Sequence, residues 1–119
     1  MRQWNVPAKL MCRQHLLGEH REGHMIASSL MNHQRNVVGY VRHNLMEPLS
    51  LFKRHNELVR EMKKRGYKHH TPLKFNQKKL NYLDKEIREG KINKKIALKD
   101  LISRCIRCKK LYNKYRRKS

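Results

Sequence analysis

Apolar positions along the chain recur at helical rather than alternating spacing, and Pro, Gly and Asn divide them into separate stretches. The first stretch opens at Pro7, which suits a first helical position because its missing N–H costs nothing there, and runs through Ala8-Lys9-Leu10 to about Met31. Gly18 and Gly23 interrupt it, each at about 1 kcal/mol relative to alanine, and both read as points where a neighbouring helix or DNA approaches closely. Residues 32–46 carry Asn-His-Gln-Arg-Asn and then Val37-Val38-Gly39-Tyr40-Val41. They read as a loop with an extended or single-turn segment.

A second helix begins around Glu47-Pro48, with Leu51, Phe52, Leu58, Val59 and Met62 on its apolar stripe. It ends at Lys63-Lys64-Arg65-Gly66, where cations suit the negative end of the helix dipole and glycine accepts the left-handed conformation that stops a helix. Tyr67 to Phe75 follows as a basic loop around Thr71-Pro72-Leu73. A third helix spans roughly Gln77 to Glu89, with Leu80, Leu83 and Ile87 on one stripe and Gly90 as its stop. A fourth starts after Asn93, a good N-cap, and passes Ile96, Leu98, Leu101, Ile102, Cys105 and Leu111 to about Tyr112. The pattern predicts an all-α fold: residues 1–119 as one compact domain, a bundle of three to four helices in a single layer with long basic loops. A chain of this length buries roughly two-thirds of its unfolded surface, enough for one modest core. No internal repeat or low-complexity linker interrupts it.

Charge narrows the function. Against 9 acidic residues stand 30 Lys and Arg, a net +21, spread from Arg2 to Lys118, so the expected partner is a polyanion. No apolar run approaches the ~20 residues of a membrane helix, and the N-terminus lacks the features of a signal peptide. The expectation is a soluble monomer without membrane attachment, in the cytoplasm of a bacterial or phage-infected cell and associated with its nucleoid. Lys63-Lys64-Arg65 and Arg116-Arg117-Lys118 read either as solvated charge or as phosphate contacts. Tyr112 and Tyr115, interleaved with Lys114, suit stacking on bases or contact with a strand's backbone. Trp4 reads as core in preference to a base-stacking residue.

Cys12, Cys105 and Cys108 cannot all pair within one chain, and the composition is unlike a disulfide-stapled domain, so reduced thiols are expected. Cys105-Ile106-Arg107-Cys108 supplies the two-thiolate half of a zinc knuckle, and Cys12, His15, His20 and His24 invite a metal reading. A closed zinc site needs four ligands, however, and no second Cys pair or His pair follows at the usual spacing. No metal and no other cofactor is expected. Cys105 is assigned to the core stripe of the last helix and Cys108 to its edge.

On the first helix Cys12, His15, Glu19 and Glu22 project within about 80° of one another, since each residue turns about 100°. His15 and Glu22 stand about 10 Å apart along the axis, room for a ribose or phosphate between them. The bland reading is that Glu19 and Glu22 merely neutralise Lys9, Arg13 and Arg21 in exposed pairs worth less than about 1 kcal/mol each.

Three segments resemble the pyrimidine-dimer DNA glycosylase and AP-lyase family of the phage endonuclease V type. Gln14-His15-Leu16 followed by Arg21-Glu22 is similar to the family's first helix. Lys53-Arg54-His55-Asn56-Glu57-Leu58 running on to Lys64-Arg65-Gly66-Tyr67 looks like its second helix, and Tyr112-Asn113-Lys114-Tyr115 resembles an aromatic-lysine-aromatic segment packed near the active site. The resemblance implies a nearly all-helical fold and a repair enzyme that needs no metal and works in chelator. In such an enzyme the amino-terminal amine attacks sugar C1′ to form an imine, while a helix-borne glutamate assists base loss and β-elimination.

Carried over, Met1 and Glu22 are the catalytic pair. Arg2 and Arg21 clamp phosphates, and Gln14 and His15 position the DNA with help from Lys63, Lys64, Arg65, Tyr112, Lys114 and Tyr115. The chemistry is coherent. An unperturbed α-amine with a pKa of about 8 is roughly 10% neutral at pH 7, whereas a lysine at about 10.4 is roughly 250-fold less available. A carboxylate beside the reacting ring suits both a cationic intermediate and proton movement. Two departures matter. The family exposes a small residue by removing its initiator methionine, whereas Arg2 is too large for that removal, so the amine is expected to be that of Met1. Three residues after the glutamate the family has an arginine, where this chain has Met25. The expected partner is double-stranded DNA with a damaged base, a pyrimidine dimer foremost, or an abasic site. The alternative is a non-catalytic basic protein that binds DNA or structured RNA.

Overall fold

The structure, a computed structural model, describes residues 1–68 and 72–117; Thr71 of the expected basic loop and Lys118 and Ser119 of the tail lie outside the described residues. Among the described residues six α-helices follow one another: α1 (Arg13–Met31), α2 (Val37–Arg42), α3 (Leu51–Lys64), α4 (Lys85–Arg88), α5 (Lys94–Arg104) and α6 (Ile106–Arg117). Among the described residues there is no strand, as the all-α reading expects. None of these helices is long and apolar enough to cross a membrane.

The expected long helices are present but cut. The first begins as a 3₁₀ turn, Ala8–Leu10, and breaks at Met11 and Cys12, both extended, before α1 starts. The third is a 3₁₀ turn, Gln77–Tyr82, joined through extended Leu83 to the single turn of α4. The fourth breaks at Cys105 (φ −128°, ψ 111°) into α5 and α6. The bundle therefore has more and shorter helices than three to four. Residues 37–42 form a short helix, nearer the single-turn than the extended alternative, with Val37 fully buried in the core beside Leu30.

The helix ends follow their local chemistry. Pro48 opens the 3₁₀ turn that leads into α3. At the other end Gly66, at φ 85°, donates to the Lys63 carbonyl (3.0 Å), and Tyr67 N–H donates to that of Met62 (2.8 Å), a Schellman pair. Asn93 caps α5, its Oδ1 accepting from Ile96 N–H at 3.1 Å.

α1 and α3 lie antiparallel, and two apolar patches share them. Leu16 of α1 joins Leu58 and Met62 of α3 in one patch, with Trp4, Val6, Leu101 and Cys108. Ile26, Ala27 and Leu30 join Leu51 in the other, with Leu80, Leu83 and Ile87, the residues of the expected third stripe. Between the patches runs a polar seam made by Glu19, His20 and His24 of α1 against Arg54 and His55 of α3. The core is thus two patches, not one. The shortest principal extent, 21 Å, is about two helix diameters, which replaces the expected single layer.

Some expected packing is absent. Phe52 (52% exposed) and Ile96 (58% exposed) face solvent although their spacing put them on core stripes. No group stands within 4 Å of a Cβ built on Gly18 or Gly23, so no neighbouring helix requires glycine at either position.

Residues 1–6 form an arm threaded through the fold. Gln3 N–H donates to the Leu45 carbonyl (2.7 Å), and Gln3 Oε1 accepts from Glu47 N–H (2.9 Å). Trp4 and Val6 bury on either side of Asn5, which turns the arm at φ 52°.

Candidate active site

Threading the arm lays the start of the chain across α1. The Met1 α-amine reaches 4.0 Å from Glu22 Oε1, with the two side chains 13% and 33% exposed. One side of the pair is therefore packed and the other open to solvent. Arg2 next to it is heavily committed: Nη1 donates to Asp100 Oδ2 at 2.9 Å, and the guanidinium lies 3.6 Å over the Trp4 ring. Its buried Nε has no acceptor among the described residues. Trp4 in turn meets the His15 ring edge-on at 5.9 Å. Met1, Arg2, Trp4 and His15 thus form a continuous line from the amine toward the start of α1.

Glu22 and Glu19 part company. Glu19 is 2% exposed, and Arg54 grips it with two hydrogen bonds, Nε to Oε2 at 2.6 Å and Nη2 to Oε1 at 2.8 Å. Arg54 Nη1 also donates to the Val6 carbonyl (2.6 Å) and to Glu57 (3.2 Å), so one guanidinium ties α1, α3 and the arm together. Burial works against its charge, and Glu19 and Glu57 outweigh that, raising the Arg54 pKa above its ordinary value. Neither glutamate belongs to the exposed pairs with Lys9, Arg13 and Arg21 that the bland reading supposed.

The other residues singled out from the sequence scatter around this centre. Gln14 and Arg21 are exposed on α1, and Lys63 and Lys64 are exposed at the end of α3. Arg65 instead turns inward, donating to the carbonyls of Met11 (2.7 Å) and Ala8 (3.3 Å) and pairing with Glu61 at 2.8 Å. On α6, Tyr112 and Tyr115 are half-buried and Lys114 exposed. The Lys9 ammonium stands 5.0 Å over the Tyr115 ring, and Arg116 lies 5.7 Å from that of Tyr112. A cleft of about 560 Å³ lined by Lys9, Arg13, Lys64, Arg107, Lys110 and Tyr115 joins the end of α3 to α6.

The fold also gathers two groups of chemically able side chains. His20, His24 and His55 bring their rings to 4.9–5.0 Å of one another in the polar seam. His24 also borders a cleft of about 630 Å³ that includes Met31, Lys74 and Phe75. Cys12, His15, Cys105 and Cys108 converge at the other end of α1, their ligand atoms all within 4.8 Å of one another. The second pair that the spacing of Cys105 and Cys108 lacked stands 93 residues upstream. The expected burial is reversed: Cys108 is fully buried and Cys105 half-buried. Burial pushes the Cys108 thiol up to about 12. At Cys105 burial also raises the pKa, but hydrogen bonds from Cys108, Cys12 and Arg107 outweigh it and leave that thiol below its ordinary value.

Residues 1–75 match the family model for pyrimidine dimer DNA glycosylase, a span that holds the arm, α1, α2 and α3. The chain belongs to that family. No curated protein and no solved structure matches it. Membership in the pyrimidine dimer DNA glycosylases implies glycosylase activity on a DNA substrate. Met1 and Glu22 both lie inside the span of the glycosylase match. Residues 76–119, including Asp100, Cys105, Cys108 and all of α6, lie outside it.

Proposed function

We propose that this glycosylase also acts as an AP lyase, with the Met1 α-amine as nucleophile and Glu22 as its acid/base partner. The observation that supports the reading is the 4.0 Å approach of the amine to a partly exposed carboxylate. In the neutral form the amine nitrogen attacks C1′, and the glycosidic bond breaks with its electron pair leaving on the base, which takes up a proton. Loss of the amine proton and opening of the sugar ring leave an imine between Met1 and C1′. Glu22 stabilises the cationic species on this path and then accepts the C2′ proton, and the electrons released expel the 3′ phosphate. Hydrolysis of the imine frees the amine.

Attack at C1′ requires the damaged nucleotide to leave the stack, by kinking or flipping. Arg21, Gln14, Lys63 and Lys64, all exposed, hold the duplex by its phosphates in this reading. Arg2, held against Asp100 and Trp4, acts as a fixed wall beside the amine. The substrate is a duplex with a pyrimidine dimer or an abasic site, and the enzyme works as a monomer in the nucleoid.

The test is borohydride trapping of the protein with abasic and photodimer-containing duplexes, read as a covalent adduct on a denaturing gel. Adducts with both are expected. Adduct with neither, in a preparation that binds the duplexes, would leave a non-catalytic basic nucleic-acid-binding protein as the better reading.

A further inference from the structure

We infer that Cys12, His15, Cys105 and Cys108 form a structural zinc site that locks α6 onto the start of α1. A tetrahedral zinc with Zn–S of about 2.3 Å and Zn–N of about 2.05 Å requires sulfurs about 3.8 Å apart and sulfur–nitrogen edges of about 3.6 Å. Cys12 Sγ and Cys105 Sγ stand 3.8 Å apart, and His15 Nδ1 lies 3.3 Å from Cys12 Sγ and 3.9 Å from Cys108 Sγ. Three of the six edges of one coordination sphere are thus close to their required lengths, and all four donor atoms, from two separated pieces of chain, lie within 4.8 Å of one another.

The backbone supports the same assignment. Cys12 is the N-cap of α1 and His15 its third residue; Cys105 directly precedes α6 and Cys108 is its third residue. Two helix starts therefore present a cap-and-third-residue pair to one point, and the chain leaves helical geometry at both caps without a Gly or Pro at either break. Cys12 N–H donates to Cys108 Sγ at 3.2 Å, the kind of N–H···S contact that holds a ligating sulfur in place. The Trp4 ring packs edge-on against His15.

Ligand type selects the metal. Three thiolates and one imidazole suit zinc, whereas magnesium and calcium take oxygen. Four protein ligands leave no open position, which makes the site structural rather than catalytic. The three thiols release their protons to solvent on binding, so the loaded centre carries a net charge of −1. Lys9, Arg13, Arg107 and Lys110 line the cleft beside Cys12 and complement that charge. Cys12 and His15 lie inside the family match and Cys105 and Cys108 beyond it, so the site would tie the matched part of the chain to the rest.

The experiment is metal analysis of the full chain, produced with zinc and purified under reducing conditions, together with cobalt substitution. It involves no DNA, so it can fail without touching the glycosylase reading. One zinc per chain is expected. The cobalt form should show the visible bands of tetrahedral coordination and a thiolate charge-transfer band. Cys108→Ser should retain less than a tenth of the metal. His15→Cys should keep one zinc and shift the cobalt spectrum toward that of a four-thiolate site, which guards against mere misfolding of the serine variant. In the wild type the three thiols should resist alkylation until a strong chelator is added. Zinc well below one per chain with rapidly alkylated thiols, a Cys12–Cys105 disulfide in protein handled without air, or full zinc retention by Cys105→Ser/Cys108→Ser would each overturn the assignment.

Discussion

The α-amine of Met1 and the carboxylate of Glu22 meet at 4.0 Å because the arm passes under α1 with Gln3 and Trp4 as its anchors. At that distance the carboxylate attracts the ammonium, and in the proposed reaction it would face the cation formed there. Glu22→Gln preserves the shape and removes the proton acceptor. Strand cleavage at an abasic site should fall by about 10²–10⁴-fold, with duplex affinity little changed. Parallel loss of both would place Glu22 in binding instead.

Acetylating the amino terminus would remove the proposed nucleophile without altering any side chain. Imine trapping should disappear, and mass spectrometry of digested wild-type adduct should place the reduced sugar on the peptide that begins at Met1. An adduct on a lysine peptide would refute the role of the amine.

Arg54 is the most connected buried charge, touching Glu19, Glu57, the Val6 carbonyl and Met11 Sδ. Arg54→Ala strands the Glu19 carboxylate in the seam and should lower stability by about 3–5 kcal/mol, seen as a shift in the urea midpoint. Glu19→Leu combined with Arg54→Met removes both charges and should recover much of that loss. A double variant as unstable as Arg54→Ala would mean that the contacts with the arm, not the stranded charge, dominate.

The basic run that ends α3 splits into two roles. Lys63 and Lys64 are exposed, so replacing both with alanine should cost no more than the helix-dipole interaction, about 0.3–1 kcal/mol each, and reduce the slope of log affinity against log salt by about 0.9 for each phosphate no longer neutralised. Arg65 holds the carbonyls of Ala8 and Met11, and Arg65→Ala should cost about 1.5–3 kcal/mol of stability. Calorimetry and salt titration of the two variants separate the roles directly.

Much of this fold is written in local chemistry. Pro48, Gly66 and Asn93 mark helix ends where the structure has them, and Leu80, Leu83 and Ile87 bury as their spacing requires. Arg54 falls three residues after Leu51 and four before Leu58, on the buried stripe of α3, a spacing that the sequence reading did not use. A cation at such a position asks for a buried anion, which is Glu19. The break at Leu83 carries only the N-cap type Asp84 as a local signal, and those at Cys12 and Cys105 have no Gly, Pro or usual N-cap residue. The return of the arm onto α1, which creates the Met1–Glu22 pair, likewise has no periodicity to announce it; the family likeness carried that part. The thiol–imidazole cluster stayed hidden because its halves lie 93 residues apart.

Five of the nine anions are paired within the molecule. Glu19, Glu22, Glu57, Glu61 and Asp100 are each engaged with a cation of the same molecule, while Asp84, Glu86 and Glu89 sit together on one segment around α4. Most of the surface is left with uncompensated positive charge that repels itself across the folded protein. Ionic strength then pulls in two directions: salt screens that repulsion and tightens the fold while it loosens the hold on a duplex. A bound duplex supplies the missing counter-charge to that surface, and by mass action a ligand that prefers the folded state adds to its stability.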